Sequence, residues 1–480
     1  MDRDQQASLR RNAGCQHAPD AACRGRRAQE GDGAVTVPHY HVAVVGAGPS
    51  GFYAAEALLR SDGDIAVDLF ERLPVPYGLV RFGVAPDHPK LKQVTTVFER
   101  IAAMPGFRFI GGVEIGVDIS IDDLRRSYHA VILATGAALG CEIGLPGENL
   151  PGVHQASDFV GWYNGHPDYR DLTFDFGRER AVVIGHGNVA LDVARILVKT
   201  PDELRHTDIA GHALEVLAES RIREVHLVGR GGPAGTRFSA KELQEFGTLE
   251  DCDPGVETGD LGADPFVSPE SADPERKIAI GLLDAFSRRQ ATKSKRCLFR
   301  FHLNPVCFEG DERVRRAVFR SSVAGGGLKQ GVAIETNLVF LSVGRRSAPV
   351  ANVPYDTVRG VHANVGGRVG AEGEKAVGLY VCGWSKRGPQ GTIGTNRACA
   401  LDTVEKVLAD LGSLPSPSSA AADSLLSSIW QRQGLRLDFE AWRAIDMAEV
   451  ARGRVFGKPR EKFVSVEAMI AAAKGKDIAC

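Results

Sequence analysis

Two stretches of the chain carry the same hydrophobic pattern, and each predicts a strand, a glycine turn and a helix. In the first, the valine-rich run Val42–Val45 leads into the glycine-rich sequence GAGPSG at 46–51, and the Ala- and Leu-rich segment Phe52–Arg60 follows. A short β-branched apolar run is typical of a strand buried on both faces, whereas apolar residues at helical spacing predict a helix. With a further strand expected at Ala66–Phe70, the pattern predicts a parallel βαβ unit.

The second stretch repeats this order later in the chain. A strand is expected at Ala181–Ile184, a turn in the sequence GHGNVA at 185–190, a helix at Leu191–Lys199 and the next strand at Glu224–Val228. Residues Thr200–Ser220 are expected to form an inserted helical excursion. Two such units predict an α/β fold with two Rossmann-like dinucleotide-binding domains.

The remaining apolar runs extend this plan. Leu73–Lys90 contains four prolines, so neither a helix nor a long strand is expected there. Its apolar side chains favour an ordered loop wrapped around a ligand. The other expected strands are Arg108–Ile115, His129–Gly136, Leu298–Leu303, Ala317–Ser321, Leu338–Ser342 and Gly378–Gly383, and the other expected helices are Lys92–Ala103, Asn396–Leu411 and Val466–Lys474.

Three polar segments lack such periodicity. Residues 1–40 are interpreted as a disordered tail, with an organelle transit peptide as the alternative. Residues 248–275 carry nine acids and no base, which favours a solvated loop. Residues 276–296 are basic and are interpreted as a solvated helix face, with a docking surface as the alternative.

Composition narrows the class of protein. At 480 residues, two or three domains are expected, and 43% hydrophobic with 25% charged residues describes a globular chain. A net charge of −2 gives no electrostatic reason to expect nucleic acid as a partner, and no apolar run is long enough to span a membrane. The nine cysteines form no C-x-x-C pair, which argues against a dithiol or cluster site and favours a reducing compartment. We therefore expect a cytoplasmic protein, or a mitochondrial matrix protein in a eukaryote.

The first turn has the features of an FAD site. Gly46 permits a tight turn, Gly48 lets phosphate approach the backbone, and Gly51 lets the helix lie close to the strand. Glu71 follows the second strand, where a carboxylate can accept hydrogen bonds from both ribose hydroxyls. The sequence therefore predicts dinucleotide binding here.

The second turn predicts a different nucleotide. Gly185 and Gly187 occupy the first two glycine positions, and Ala190 is a tolerated variant at the third. The strand after this turn ends at Gly229-Arg230 instead of an acid. A guanidinium at that position can bind a 2′-phosphate that a carboxylate would repel, so this site is predicted to take NADPH.

A final glycine-rich segment follows the strand Gly378–Gly383. Between Trp384 and Thr395 the chain has several glycines, and a helix is expected immediately afterwards. The helix N-terminus would stabilise negative charge on a reduced flavin ring. Trp384 is interpreted as a flavin contact, with a place in the core as the alternative.

Taken together, these motifs resemble a known family. The sequences VGAGPSG, LVRFGVAPDHPK, DFVGWYN, GNVALDVARIL, HLVGR and GWSKRGPQGTIGTN resemble adrenodoxin reductase and the related bacterial ferredoxin–NADP reductases. The resemblance extends from about His41 to the terminal sequence ARGRVFGKPREKFV. It implies a glutathione-reductase-like arrangement, in which the NADP-binding domain is inserted in a discontinuous FAD-binding domain. The expected boundaries are 1–40 for the tail, 41–139 and 352–480 for the FAD domain, and 140–351 for the NADP domain.

The resemblance also implies an activity. An FAD enzyme would take hydride from NADPH and pass single electrons to a small acidic ferredoxin, an iron–sulfur protein. We keep two alternatives: the flavin subunit of a glutamate synthase-like complex, and a nucleotide-binding redox sensor without turnover. The oligomeric state is open, and a monomer is compatible with the sequence.

Site residues follow from the same resemblance. His88, in the PDHP motif, and Glu245 are the candidates for orienting nicotinamide and flavin and for handling protons; for His88 the alternative is a structural hydrogen bond within its loop. The expected FAD contacts are Ser50, Glu71, Leu79, Ile115, Trp384, Gly391, Thr392 and Ile393. The expected NADPH contacts are His186, Gly187, Asn188, Val189, Arg230, Glu242 and the backbone of Gly391.

The chain departs from the family pattern at one phosphate clamp. Gly231 stands where the family usually has a second arginine after Arg230. Losing one charge-assisted contact would weaken NADPH preference by roughly 1–3 kcal/mol. Arg237 and Lys241 are the nearby cations that could replace it.

Overall fold

The computed structural model describes residues 39–260, 272–322, 331–371 and 373–475, and alternating strands and helices dominate these ranges. The predicted tail 1–40 lies almost wholly outside them. The strands are β1 Tyr40–Val45, β2 Ile65–Phe70, β3 Phe107–Ile110, β4 Ala130–Leu133, β5 Leu139–Gly140, β6 Val153–Gln155, β7 Arg180–Ile184, β8 Glu224–Val228, β9 Cys252–Val256, β10 Lys295–Arg300, β11 Leu303–Glu309, β12 Arg316–Ser321, β13 Val332–Glu335, β14 Val339–Leu341, β15 Arg345–Arg346, β16 Tyr355–Asp356, β17 Val361–His362, β18 Asn364–Val365, β19 Arg368–Ala371 and β20 Glu374–Val381.

The helices mostly follow the glycine turns or connect strands. They are α1 Pro49–Leu59, α2 Leu79–Phe82, α3 Pro89–Lys92, α4 Thr95–Ala102, α5 Ile121–Ser127, α6 Ala156–Tyr163, α7 Asn188–Val198, α8 Pro201–Arg205, α9 Gly211–Ala218, α10 Ala240–Glu245, α11 Pro274–Ser287, α12 Trp384–Arg387, α13 Ile393–Asp410, α14 Ala421–Gln433, α15 Phe439–Val455 and α16 Val466–Ala473.

Two sheets form the framework, the first parallel except for the antiparallel strands β18–β20 at one edge and the second parallel throughout. Within the described residues, the first sheet has the order β18-β19-β20-β4-β1-β2-β3 and the second has the order β6-β14-β7-β8-β10-β9. Along the sequence, strands β1–β4 of the first sheet precede the strands of the second sheet, and strands β18–β20 follow them. The predicted α/β fold with two nested Rossmann-like units, one of them discontinuous, is therefore confirmed, while the exact domain boundaries stay a prediction.

Each sheet is parallel around its first glycine turn. In the first sheet β1 pairs in parallel with both β2 and β4, and in the second sheet β7 pairs in parallel with β8 and β14. These central strands are almost entirely buried, as the valine-rich runs predicted. Because parallel strands end at one edge, both glycine turns open at the carboxyl edge of their sheet.

The acidic segment 248–275 is not a solvated loop throughout, contrary to expectation. Residues Cys252–Val256 form the buried edge strand β9, paired with β10. The acid Asp253 is buried because it accepts backbone hydrogen bonds from Thr292 (2.6 Å) and Lys293 (2.9 Å) and lies 3.1 Å from Arg289. Residues 261–271 lie outside the described ranges.

The basic segment 276–296 is exposed at Lys277, Arg288 and Arg296, as a solvated face predicts, although several of its cations have partners within the protein. Arg289 pairs with Asp253, Arg288 pairs with Asp284 at 2.6 Å, and the buried Lys295 donates to the carbonyl of Val198 at 3.0 Å. The docking alternative for this segment stays a prediction.

Two predicted elements near the first sheet are also shorter or differently folded. The strand expected at Arg108–Ile115 ends at Ile110, because Gly111 and Gly112 follow and Gly112 has φ +70°. The loop Leu73–Lys90 is ordered, as expected, but it includes the single helical turn α2 and the first half of α3.

Candidate functional site

In the first glycine turn, two of the three glycines have no room for a side chain, and the third borders open space. At Gly46 the φ angle is +108° and an added Cβ would lie 2.6 Å from the carbonyl oxygen of Ala134. At Gly51 a Cβ would lie 1.9 Å from the carbonyl oxygen of Gly46, whereas at Gly48 nothing lies within 4 Å. The turn therefore has room for a pyrophosphate at the N-terminus of α1, where backbone N–H groups favour an anion.

Glu71 lies directly against this turn. Its Oε2 accepts a hydrogen bond from the backbone N–H of Ala47 at 2.9 Å, and its Oε1 accepts one from Leu73 at 3.3 Å. Burial raises the pKa of Glu71 more than these hydrogen bonds lower it. The carboxyl group is thus held at the end of β2, in the position suited to a ribose.

The loop before α2 covers the turn. The backbone N–H of Tyr77 donates to the carbonyl of Ala47 at 2.8 Å, and a Cβ on Gly78 would lie 3.2 Å from Cα of Gly48. Leu79 begins α2 at this point and is half-buried. Ile115, also half-buried, forms a bridge with Ile119 on the other side of the first sheet's edge.

The far end of the first sheet approaches the same turn. A Cβ on Gly383, which has φ +67°, would lie 2.0 Å from Oγ of Ser50. Ser50 and Trp384 are therefore close neighbours. The indole Nε1 of Trp384 is buried and has no hydrogen-bond partner among the described residues. An orphaned buried donor beside a nucleotide turn fits a bound ligand.

Helix α13 leaves its N-terminus open next to this tryptophan. Gly391 and Thr392 are exposed, and Thr392 makes no side-chain cap although it stands at the N-cap of this 18-residue helix. Ile393 packs on the core beneath. Unsatisfied N–H groups at such a terminus stabilise negative charge. Together with the open space at Gly48 and the orphaned indole, these residues fit FAD.

The second glycine turn repeats the geometry of the first. Gly185 has φ +136°, and a Cβ there would lie 2.2 Å from the carbonyl oxygen of Ser342. Nothing lies within 4 Å of a Cβ on Gly187, and Val189 is 39% exposed at the start of α7. Oδ1 of Asn188 accepts the backbone N–H of Ser239 at 2.8 Å, which ties the turn to the loop before α10.

The side chain of His186, predicted to contact NADPH, contacts other parts of the protein. Its Nε2 lies 3.1 Å from the carbonyl oxygen of Leu227, and a Cβ on Gly229 would lie 2.2 Å from its Nδ1. Burial lowers the pKa of His186 to about 4, so the ring is neutral and Nε2–H donates to the carbonyl. Its imidazole packs against the rings of Phe238 and Phe301, with ring centroids 6.0 and 4.9 Å away, so the side chain is engaged by the protein itself.

Arg230 stands where the sequence places the 2′-phosphate contact. It lies two residues beyond the end of β8, after Gly229, and its side chain is exposed. The two other cations considered from the sequence, Arg237 and Lys241, are also exposed. The structure therefore keeps Arg230 available to a ligand.

His88 and Glu245 are brought together from the two nucleotide units. His88 Nε2 lies 2.9 Å from Oε2 of Glu245, which ends α10. The side-chain hydrogen bond of His88 thus goes to another element and not to its own loop, and the catalytic role of His88 stays a prediction. Burial acts most strongly and lowers the pKa of His88, but the hydrogen bond to Glu245 together with the charges of Asp192 and Asp87 outweighs it, and the pKa is raised. Burial acts to raise the pKa of Glu245, and His88 with Arg195 lowers it overall.

A buried ion-pair cluster beside this contact was missed by sequence reasoning. Arg195 is fully buried and binds Asp87 through Nε at 2.7 Å and Nη2 at 3.0 Å, while Nη2 also lies 2.7 Å from Asp192. Lys199 reaches Asp87 at 2.9 Å. Burial would raise the pKa of Asp87, but these two cations hold it well below its usual range. The basic residues lie one helical turn apart on α7, but that spacing does not reveal a partner preceding His88.

Glu242 lies on the same helix as Glu245. Its Oε2 is buried without a hydrogen-bond partner among the residues that the structure describes. Burial, followed by repulsion from Asp192, raises the pKa of Glu242 to about 7. The group can therefore hold or release a proton near neutrality.

Two further observations concern metal ions and membranes. Across the described ranges, no cluster of three or more His, Cys, Asp or Glu residues could hold a metal ion. In the same ranges, no helix combines the length and apolar character needed to cross a bilayer.

Comparison with known proteins identifies the family. Residues 40–231 match the family described as pyridine nucleotide-disulphide oxidoreductase. The chain is 40% identical to the NADPH-ferredoxin reductase FprA of Mycobacterium tuberculosis, over 91% of this chain and 99% of that one. It is also 40% identical to the mitochondrial NADPH:adrenodoxin oxidoreductase of Arabidopsis thaliana, over 90% of this chain and 95% of that one.

A solved structure agrees with this relationship. The structure described as Mycobacterium tuberculosis FprA in complex with NADPH matches with a TM-score of 0.86 and 39% identity, covering 91% of this chain and all of the other. With such identity over nearly the whole length, the chain belongs to the family of adrenodoxin reductases and bacterial NADPH-ferredoxin reductases.

Proposed function

We propose that this protein is an FAD-dependent NADPH:ferredoxin oxidoreductase. The observation that carries the proposal is that the chain has two nucleotide-binding turns whose units are joined by the contact between His88 and Glu245. One turn is accompanied by Glu71 and the other by Arg230. Relatives named for NADPH-dependent ferredoxin and adrenodoxin reduction support it. FAD and NADP(H) are the cofactors.

The flavin supplies the step that accepts a two-electron hydride and releases electrons singly, which a nicotinamide does not do. The residues of the chain bind the two nucleotides and orient them. The turn at Gly46, Gly48 and Gly51 and the carboxyl group of Glu71 hold one nucleotide, and the turn at Gly185 and Gly187 with Arg230 holds the other. The assignment of these individual roles is part of the proposal.

His88, Glu245 and Glu242 are assigned to the place where the two nucleotides meet. His88 and Glu245 fix one another's orientation through their 2.9 Å contact. Glu242, with its pKa of about 7, can give or take a proton there. We therefore assign His88 and Glu245 to orienting the nicotinamide and the flavin, and not to breaking a bond themselves.

The partner is an iron–sulfur protein, and we infer a small acidic ferredoxin. Charge complementarity would speed encounter, and binding would weaken with salt. A reducing compartment such as the cytoplasm fits the six described cysteines, all of which are free thiols. The rival functions, a glutamate synthase-like subunit and a sensor without turnover, are not favoured by the relatives.

The proposal is tested by mixing the FAD-loaded protein anaerobically with NADPH or NADH in a stopped-flow instrument. Loss of the flavin's visible absorbance is expected to be much faster with NADPH. Equal rates, or no reduction by either nucleotide, would contradict the proposal.

A further inference from the structure

The loop that carries Arg230 has an unusual neighbour at the tip of the adjacent strand. His302 follows β10, which pairs in parallel with β8, and its backbone N–H donates to the carbonyl of Gly231 at 3.1 Å. Resting on the function proposed above, we propose that His302 is a specificity-determining residue that supplies the second contact to the 2′-phosphate of NADPH, in place of the arginine absent at position 231.

The first support is the position of the imidazole. A Cβ on Gly232 would lie 2.8 Å from Nε2 of His302 and 2.9 Å from its Cε1. The ring therefore lies directly against the segment that follows Arg230. Its side chain makes no hydrogen bond within the described part of the chain and is half-buried, so a donor remains available for a ligand.

The second support is the backbone of His302. It has φ +55°, a left-handed conformation that few residues other than glycine adopt. The conformation is fixed on both sides, because the carbonyl of His302 accepts the backbone N–H of Ser322 at 2.8 Å while its own N–H binds Gly231. This geometry turns the side chain back toward the β8 loop instead of continuing the strand.

The two glycines of the loop have different steric roles. A side chain on Gly232 would collide with the imidazole, whereas a Cβ on Gly231 would meet nothing closer than Cα of Gly235 at 3.9 Å. Gly232 is therefore the residue that admits His302, and position 231 could hold an arginine without steric conflict. In the proposed site, the imidazole of His302 after β10 takes the place of a guanidinium at position 231 after β8.

This placement matches the chemistry of the ligand. In a Rossmann unit the residue after the second strand reaches the adenosine ribose, and Arg230 occupies that position. The next strand outward is β10, so a donor at its tip reaches the same phosphate from the other side. An imidazole Nε2–H can donate to a phosphate oxygen, and a ligand without the 2′-phosphate gains nothing from it.

The test measures binding instead of turnover. Isothermal titration calorimetry of the FAD-loaded protein gives the dissociation constants of NADP⁺ and NAD⁺ for wild type, His302→Gly and His302→Leu. The glycine variant keeps the left-handed backbone, and the leucine variant keeps the bulk. We expect both to weaken NADP⁺ binding about tenfold and to leave NAD⁺ binding unchanged.

A gain-of-function variant completes the test. Adding Gly231→Arg to His302→Gly is expected to restore most of the lost NADP⁺ affinity. The preference for NADP⁺ is the dissociation constant of NAD⁺ divided by that of NADP⁺. If this preference is unchanged in both His302 variants, because neither nucleotide or both nucleotides bind more weakly, the proposal is overturned. The same holds if, in a parallel measurement, the preference falls only in the variant Arg237→Ala. Failure of the proposed function would look different, because wild-type protein itself would then show no preference for NADP⁺.

Discussion

Nε2 of His88 lies 2.9 Å from Oε2 of Glu245, although the two residues belong to different nucleotide-binding units. Behind them, Arg195 binds Asp87, the residue preceding His88. The histidine loop is thus fixed to the second unit by a buried ion pair on one side and a hydrogen bond on the other. These two contacts join the nucleotide-binding units next to the place where the two sites meet.

Replacing Glu245 by Gln should alter the pH profile of flavin reduction. Because the carboxylate raises the pKa of His88, its removal lowers that pKa, and any limb of the profile due to His88 moves to lower pH. The reduction rate should fall by up to about tenfold, since a neutral amide holds the imidazole ring less firmly than the carboxylate does. Stopped-flow reduction by NADPH across a pH series measures both effects. Gln244→Ala, on the exposed neighbouring position, is the matched control, and an identical profile in Glu245→Gln would rule out this role.

Removing Arg195 should destabilise the protein strongly. The change Arg195→Met leaves Asp87 and Asp192 buried without their main cation, and breaking a buried pair costs about 3–5 kcal/mol. Thermal unfolding should show a large fall in Tm. The control Arg60→Met removes a largely exposed arginine from Glu56, which keeps Arg397 as a second cation at 3.3 Å, and it should cost less than about 1 kcal/mol. Similar Tm values for both variants would contradict the structural role of the cluster.

Glu242 should make stability depend on pH near neutrality. Its folded-state pKa is about 7, above the ordinary value of 4.5, so the folded protein holds a proton that the unfolded chain releases. Stability is therefore lost as pH rises from about 4.5 to 7. Glu242→Gln should raise Tm by roughly 2 °C at pH 8 and leave it unchanged at pH 4.5. A gain that is the same at both pH values would show that ionisation of Glu242 is not the cause.

The first glycine turn offers a matched pair of substitutions. Gly51→Ala places a Cβ 1.9 Å from the carbonyl oxygen of Gly46, so both folding and FAD binding should fail. Gly48→Ala meets no protein atom within 4 Å and should fold normally, but its methyl group would occupy the approach of the pyrophosphate. Circular dichroism and flavin content per chain distinguish the two. Full flavin content in Gly48→Ala would remove the pyrophosphate from this position.

The local motifs were readable from the sequence because their chemistry depends on near neighbours. Gly46, Gly51 and Gly185 are each required by a backbone approach that a strand–turn–helix sequence implies. The same holds for Glu71 and Arg230, which lie one and two residues beyond the ends of their strands. The roles expected of His88 and Glu245 came from the family resemblance, and only the fold shows their contact.

The features that were missed depend on tertiary partners. Cys252–Val256 was interpreted as a solvated loop because of its acidic surroundings, yet Arg289 and backbone N–H groups satisfy Asp253 inside the fold. The left-handed His302 against Gly232 has no local sequence signature either. Both arise where strands distant in sequence become neighbours.

Ferredoxin-dependent electron transfer tests the central claim most directly. Purified holoprotein is supplied with NADPH or NADH, a small acidic [2Fe–2S] ferredoxin and cytochrome c as the final acceptor. The account predicts rapid cytochrome c reduction that requires both NADPH and ferredoxin, with NADH much less effective. Flavin reduction by NADPH without any ferredoxin-dependent acceleration of cytochrome c reduction would contradict it.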